Sequence, residues 1–147
     1  MVIALIGGRC CGKSALAKAI CEKVHATVYT GRAYQDLASD ELVARERFRA
    51  LLAEAQESDE YVIYLVTEKE LQDLLPLGCL RVLCKATLKT VKARFAEQMG
   101  EPLTQSMAMM LEKQHGNFDS CPHMMALDPT GGDPDLLAVE ILEQVGL

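Results

Sequence analysis

Short apolar runs alternate with amphipathic stretches from one end of the chain to the other. Val2–Ile6 is an aliphatic run closed by glycine, and Tyr61–Val66 is six residues without a charge. Both have the length and continuity of strands buried on two faces. Ala26–Thr30, Leu80–Ala86 and Met124–Leu127 read as three further strands. The stretches between them carry helical spacing. Ser14–Val24 repeats Leu16, Ile20 and Val24 on one face, and Asp40–Glu57 offers Leu42, Phe48, Leu51 and Leu52 as its inner stripe. Shorter helices are expected over Lys69–Leu75, Leu88–Gln98, Leu103–Gln114 and Leu136–Val145, punctuated by Pro76, Gly100, Pro102, Gly116 and Pro134. Five strands separated by helices imply crossover connections. The expected fold class is therefore α/β, a five-stranded parallel sheet with helices on both faces, built as a single domain over residues 1–147. Asp128–Pro134, dense in Asp, Pro and Gly, is expected to be a surface loop.

Composition narrows the function classes. Half of the residues are apolar and 24% are charged, which excludes intrinsic disorder. Aromatics make up 5% and Trp is absent, so aliphatics and the seven Met must fill the core; Met107, Met109 and Met110 are expected there. A net charge of −6 argues against duplex nucleic acid as a partner. No apolar run reaches the length of a membrane span, and the first residues lack the length and basic flank of a signal peptide. A cytoplasmic protein with no membrane partner is the expectation. The six Cys contain no C-x-x-C spacing, and His115, Cys121 and His123 form only a loose cluster. Free thiols packed as small hydrophobes are expected rather than disulfides or zinc ligands.

One motif carries chemistry. Gly7-Gly8-Arg9-Cys10-Cys11-Gly12-Lys13-Ser14 fits G-x-x-x-x-G-K-[ST], between a buried strand and an amphipathic helix. Gly7 and Gly12 are expected to take backbone angles denied to other residues. The loop amides and the helix N-terminus then converge on a phosphate. Lys13 brings a full positive charge to the terminal phosphates, and the Ser14 hydroxyl is a ligand for Mg²⁺. ATP and Mg²⁺ are the expected cofactors. At Cys10 and Cys11 only the backbone is expected to matter. A redox role would require thiol pKa values lowered by the helix terminus, Arg9 and Lys13.

With this loop at the start of a small α/β chain, the sequence resembles the P-loop small-molecule kinases, the group of adenylate, cytidylate, shikimate and gluconate kinases. The resemblance implies a three-layer P-loop NTPase fold. Thr30-Gly31-Arg32-Ala33-Tyr34-Gln35-Asp36 is similar to the segment that opens the acceptor site of nucleoside monophosphate kinases. Gln35 stands where that family has an Arg, and Arg32 is the nearest substitute. Lys92 and Arg94 lie on a helix that in the family leads into a lid, and an Arg at the position of Arg94 reaches the nucleotide there. The resemblance places a short lid around residues 95–123, which hold no Arg, and cups adenine in the loop containing Asp128 and Thr130.

The expected function is ATP-dependent transfer of the γ-phosphoryl to a small-molecule acceptor, either a nucleoside monophosphate or a shikimate- or gluconate-like hydroxy acid. Lys13 and Arg94 would stabilise charge and Asp36 would orient the acceptor hydroxyl. The acceptor itself is expected between Thr30–Asp36 and the following helix. Thr30, Gly31, Arg32, Gln35, Arg45 and Arg49 are the candidate contacts, and Glu68 is a second candidate at magnesium. Arg45 and Arg49 share a helical face, where pairing with Glu41 and Glu46 is the alternative. The competing reading is a nucleotide-binding sensor or partner-binding module with weak or no transfer. A GTPase-type switch is disfavoured because no Asn-Lys-x-Asp segment is present.

Overall fold

The computed structural model describes residues 1–146. Five strands, β1 (Val2–Ile6), β2 (Ala26–Thr30), β3 (Tyr61–Val66), β4 (Leu80–Cys84) and β5 (Met125–Leu127), form one parallel sheet in the order β2-β3-β1-β4-β5. The aliphatic run of β1 sits at the centre and pairs with β3 and β4 on its two sides. Its alternate residues enter two different cores. Ile3 and Leu5 pack with Leu16 and Ile20 of α1 (Lys13–Cys21) and Ile141 of α5 (Pro134–Gln144). Val2, Ala4 and Ile6 pack with Phe48 and Leu52 of α2 (Glu41–Gln56). Every β1 residue is fully buried, as a strand covered on both faces must be. The expected α/β fold with helices on both faces is the observed one.

Local chemistry sets the helix boundaries. Asp40, Thr87, Thr104 and Asp133 accept backbone N–H bonds at the starts of α2, α3 (Leu88–Met99), α4 (Gln105–Gln114) and α5. Gly100 stops α3 in the left-handed conformation. Replacing Asp40 by Ala should cost about 1 kcal/mol, read as a lower midpoint in urea, because the Val43 N–H it receives at 3.0 Å loses its partner.

Three expectations change, and one element is added. Leu42 is 76% exposed, and the inner stripe of α2 is Ala44, Phe48, Leu52 and Ala55. Those four repeat every three or four residues, and Leu42 lies about 200° around the helix from Ala44. Residues Lys69–Leu74 form a 3-10 helix rather than an α-helix. A second 3-10 helix, Ala33–Leu37, turns the fully buried Tyr34 inward. The Met cluster is not core: Met109 is 60% exposed on α4, while Met110 packs at the edge of the first core. No helix among the described residues is long and apolar enough to cross a membrane.

Candidate active site

The phosphate loop leaves the C-terminal end of the central strand. Gly7 N–H donates to the Val66 carbonyl at 3.1 Å, so the first loop residue is still tied to β3. Gly7 is required by close approach rather than by its angles. A Cβ there would stand 2.5 Å from the Cys84 carbonyl oxygen of β4. Gly12 does need glycine's freedom, at φ +83°, and a Cβ on it would meet Pro129 Cβ at 2.8 Å. Cys10 also takes a positive φ, 60°, so part of the loop's curvature falls on a non-glycine residue.

Gly12 caps α1 without a side chain, and no residue closes the helix start. Its first amides therefore have no side-chain acceptor. Lys13 is 6% exposed, and its ammonium donates to the Gly7 carbonyl at 2.7 Å and to the Gly8 carbonyl. Burial lowers its pKa from the usual lysine value. Ser14 is exposed on the first turn.

The thiols behave differently from a reactive pair. Burial pushes the pKa of Cys10 and Cys11 up, outweighing the cations of Arg94, Lys13 and Arg9 at Cys10 and of Lys13 at Cys11. The lowered values that a redox role requires are therefore absent. Cys84, beneath the loop, is pushed up to about 12 by burial. Iodoacetamide should label the exposed Cys21 first and spare Cys11, Cys79, Cys84 and Cys121, which are buried; peptide mass analysis after a brief exposure checks this order.

On one side of the loop stand the residues expected to hold the base. Asp128 accepts from Thr130 Oγ1 at 2.6 Å, Thr130 N–H at 3.0 Å and Gly131 N–H at 2.9 Å. These bonds hold its carboxyl below the usual carboxylate range, with a further contribution from Arg94. The Arg94 charge acts on both Asp128 and Cys10, so it is near the 128–130 turn and the phosphate loop. Pro129 and Thr130 pack directly over Gly12.

On the other side a cavity of about 400 Å³ opens. It is bounded by Gly8, Arg9 and Cys11 of the loop, the ends of β3 and β4, Leu111 of α4 and the segment 115–119. Glu68 lines it; Asp36, Thr30, Arg32, Gln35, Arg45 and Arg49 do not. The space expected between Thr30–Asp36 and α2 is filled by Tyr34, whose ring lies 5.1 Å below the Arg45 guanidinium and whose hydroxyl donates to Glu41 at 3.1 Å. Arg45 also pairs with Glu41 at 3.4 Å. Arg49 donates to the Asp73 carbonyl at 3.2 Å rather than meeting Glu46. Arg32 and Glu68 bind one another through two contacts, at 3.0 and 3.2 Å. Lys92 is paired with Glu112 across α3 and α4. His115 donates to the Ala86 carbonyl at 2.8 Å and His123 to the Cys121 carbonyl at 2.7 Å. The cavity position is the feature the sequence does not reveal, because the phosphate loop, β4 and the end of α4 with residues 115–119 meet only in three dimensions.

No protein-family model matches the sequence, and no curated protein matches it. Solved structures do resemble the fold. Shikimate kinase from Acinetobacter baumannii in complex with shikimate is 15% identical, with a TM-score of 0.63 over 98% of this chain and 92% of that one. A gluconokinase from Sinorhizobium meliloti is 17% identical, with a TM-score of 0.62 over 98% and 92%. The Deinococcus radiodurans tunicamycin resistance protein is 19% identical, with a TM-score of 0.69 over 99% and 95%. At these identities the likeness is one of fold: the chain has the P-loop α/β architecture of small-molecule kinases.

Proposed function

We propose that the protein transfers the γ-phosphoryl group of ATP to a hydroxyl of a small molecule. The observation that carries this reading is the direct contact between a phosphate-binding loop and a ligand-sized cavity, both lined by Gly8, Arg9 and Cys11. A cradle for a polyphosphate on one side and room for an acceptor on the other are the two requirements of in-line transfer.

The roles follow from position. Amides of Gly8–Lys13 and the open start of α1 bind the phosphates. Lys13 moves from its loop carbonyls to the terminal phosphate oxygens. Arg94 and the Asp128–Thr130 turn border the base side. The exposed Ser14 hydroxyl suits Mg²⁺, which would supply charge neutralisation across phosphate oxygens. Glu68 is already engaged by Arg32, so it is assigned to the cavity rather than to the metal. In the transfer step the acceptor oxygen forms a bond to the γ-phosphorus. The bond from that phosphorus to the bridging oxygen breaks, and its electron pair stays on ADP. The hydroxyl proton passes to a carboxylate of the cavity wall, which Asp36 does not line.

Titration calorimetry with magnesium and ATP, followed by turnover with an acceptor panel, tests the reading. Heat of association together with phosphorylated product supports it. Tight ATP binding with no transfer would favour the sensor module, a reading prompted by the Arg-free stretch 95–123. Arg94→Ala should lower kcat/KM by roughly 10²–10³-fold if it meets developing charge. A loss below threefold would place it outside the reaction.

A further inference from the structure

We propose that the acceptor is an uncharged polyhydroxy compound, a free sugar or the sugar of a nucleoside, seated between the phosphate loop and residues 115–119. This rests on the phosphotransferase reading and names the substrate class of that same cavity.

The first argument is the state of the cations. An acceptor carrying a carboxylate or phosphate needs a guanidinium or ammonium free to receive it. Arg32 is held at both contacts by Glu68, and Lys85 is paired with Asp119 at 3.3 Å. Arg45 lies on Tyr34 and bonds Glu41, while Arg47 and Arg49 donate to the carbonyls of Leu37 and Asp73. The cluster of arginines that the sequence offers to an anion is thus spent within the fold.

The second argument is the charge of the cavity itself. Its walls carry Glu68, Glu70 and Asp119 against Arg9, Lys69 and Lys85. Arg9 belongs to the phosphate loop and answers the polyphosphate. Lys69 stands between Glu68 and Glu70 in sequence. Lys69 is therefore the single cavity cation that neither the phosphate loop nor an ion pair engages among the described residues, and an anion entering beside bound ATP would meet it together with Glu70 and a triphosphate.

The third argument is what the remaining groups can do. Carboxylates accept hydrogen bonds from hydroxyls, and the amides of Gln114 and Asn117 both donate and accept. Leu83, Val91 and Leu111 supply an apolar wall against which the C–H face of a ring can lie. The volume of about 400 Å³ falls in the range of small-ligand clefts.

The test uses the whole protein and matched pairs of compounds: free hexoses and pentoses against their sugar acids, and nucleosides against their monophosphates. Binding is followed by saturation-transfer NMR without ATP, and transfer by mass analysis of product with magnesium and ATP. The expected result is binding and phosphorylation of uncharged members, with at least tenfold lower kcat/KM for each anionic partner. Preference for the acids or monophosphates overturns the assignment, as does failure of every uncharged member to bind. Binding of the uncharged members without transfer leaves the assignment standing and removes the phosphotransferase reading instead. Glu68→Gln supplies an independent check. It frees Arg32 and removes a cavity charge, so the binding preference for uncharged members, read by saturation-transfer NMR without ATP, should fall at least fivefold. An unchanged preference overturns the charge argument.

Discussion

Lys13→Met is expected to abolish phosphoryl transfer, by at least 10³-fold in kcat, while leaving thermal stability at or above that of the unmodified protein. On the proposed function, the activity loss follows from removing a full charge assigned to the terminal phosphate, where electrostatic groups of this kind each contribute roughly 10²–10³-fold or more. The stability side follows from burial. Lys13 is 6% exposed, and its ammonium is bonded only to carbonyls of its own loop. Its pKa is lowered in the folded state, so the unfolded chain holds that proton more tightly. The charged side chain therefore costs folding free energy below the folded pKa, and the cost fades as pH rises through that value. Met keeps the length of the stem and removes the cost. Parallel kinetics and thermal melts check both halves. Wild-type turnover in the variant removes the kinase reading, and a large fall in the melting midpoint removes the account of Lys13 as a functional rather than a structural residue.

Gly7→Ala is the second large effect, and it falls on folding. The added methyl would sit 2.5 Å from the carbonyl oxygen of Cys84, a distance no carbon–oxygen pair sustains. That oxygen belongs to a central strand and cannot swing aside as a side chain would. Either the loop lifts from β3, breaking the bond from Gly7 N–H to Val66, or β4 shifts against β1. Overpacking of this kind costs about 3 kcal/mol. Chemical denaturation should register that loss, and calorimetry should show ATP affinity reduced in the same variant. Gly8→Ala is the control, since a Cβ there meets nothing within 4 Å. It should unfold like the unmodified protein.

Those two glycines also mark how far the sequence could be read. The strand, loop and helix from Val2 to Cys21 were legible because each part depends on neighbours a few residues away. The motif does not reveal why Gly7 must be glycine, because the reason is Cys84, seventy-seven positions on. The inner stripe of α2 shows the same limit at shorter range. Leu42 is apolar and helical, yet the sheet selects the face bearing Ala44 and Phe48, where Phe48 packs between Tyr29 and Tyr64 at ring distances of 5.3 and 5.0 Å. Spacing alone does not say which of two overlapping stripes the sheet will take. Tyr34 is the sharpest case. Nothing in the polar segment 30–36 marks Tyr34 as a core residue, yet its 3-10 turn drives it inward and it closes the space where an acceptor was expected. The cavity proposed for the acceptor forms elsewhere, from segments that the chain keeps up to about a hundred residues apart.

Among the described residues, four of the five α-helices begin under an Asp or Thr that ties down the first turn, and α1 alone begins bare. On the proposed function, that end of the molecule is completed by the bound polyphosphate. Whatever docks there supplies the missing cap, so its grip on the protein and the protein's resistance to heat are two readings of one equilibrium.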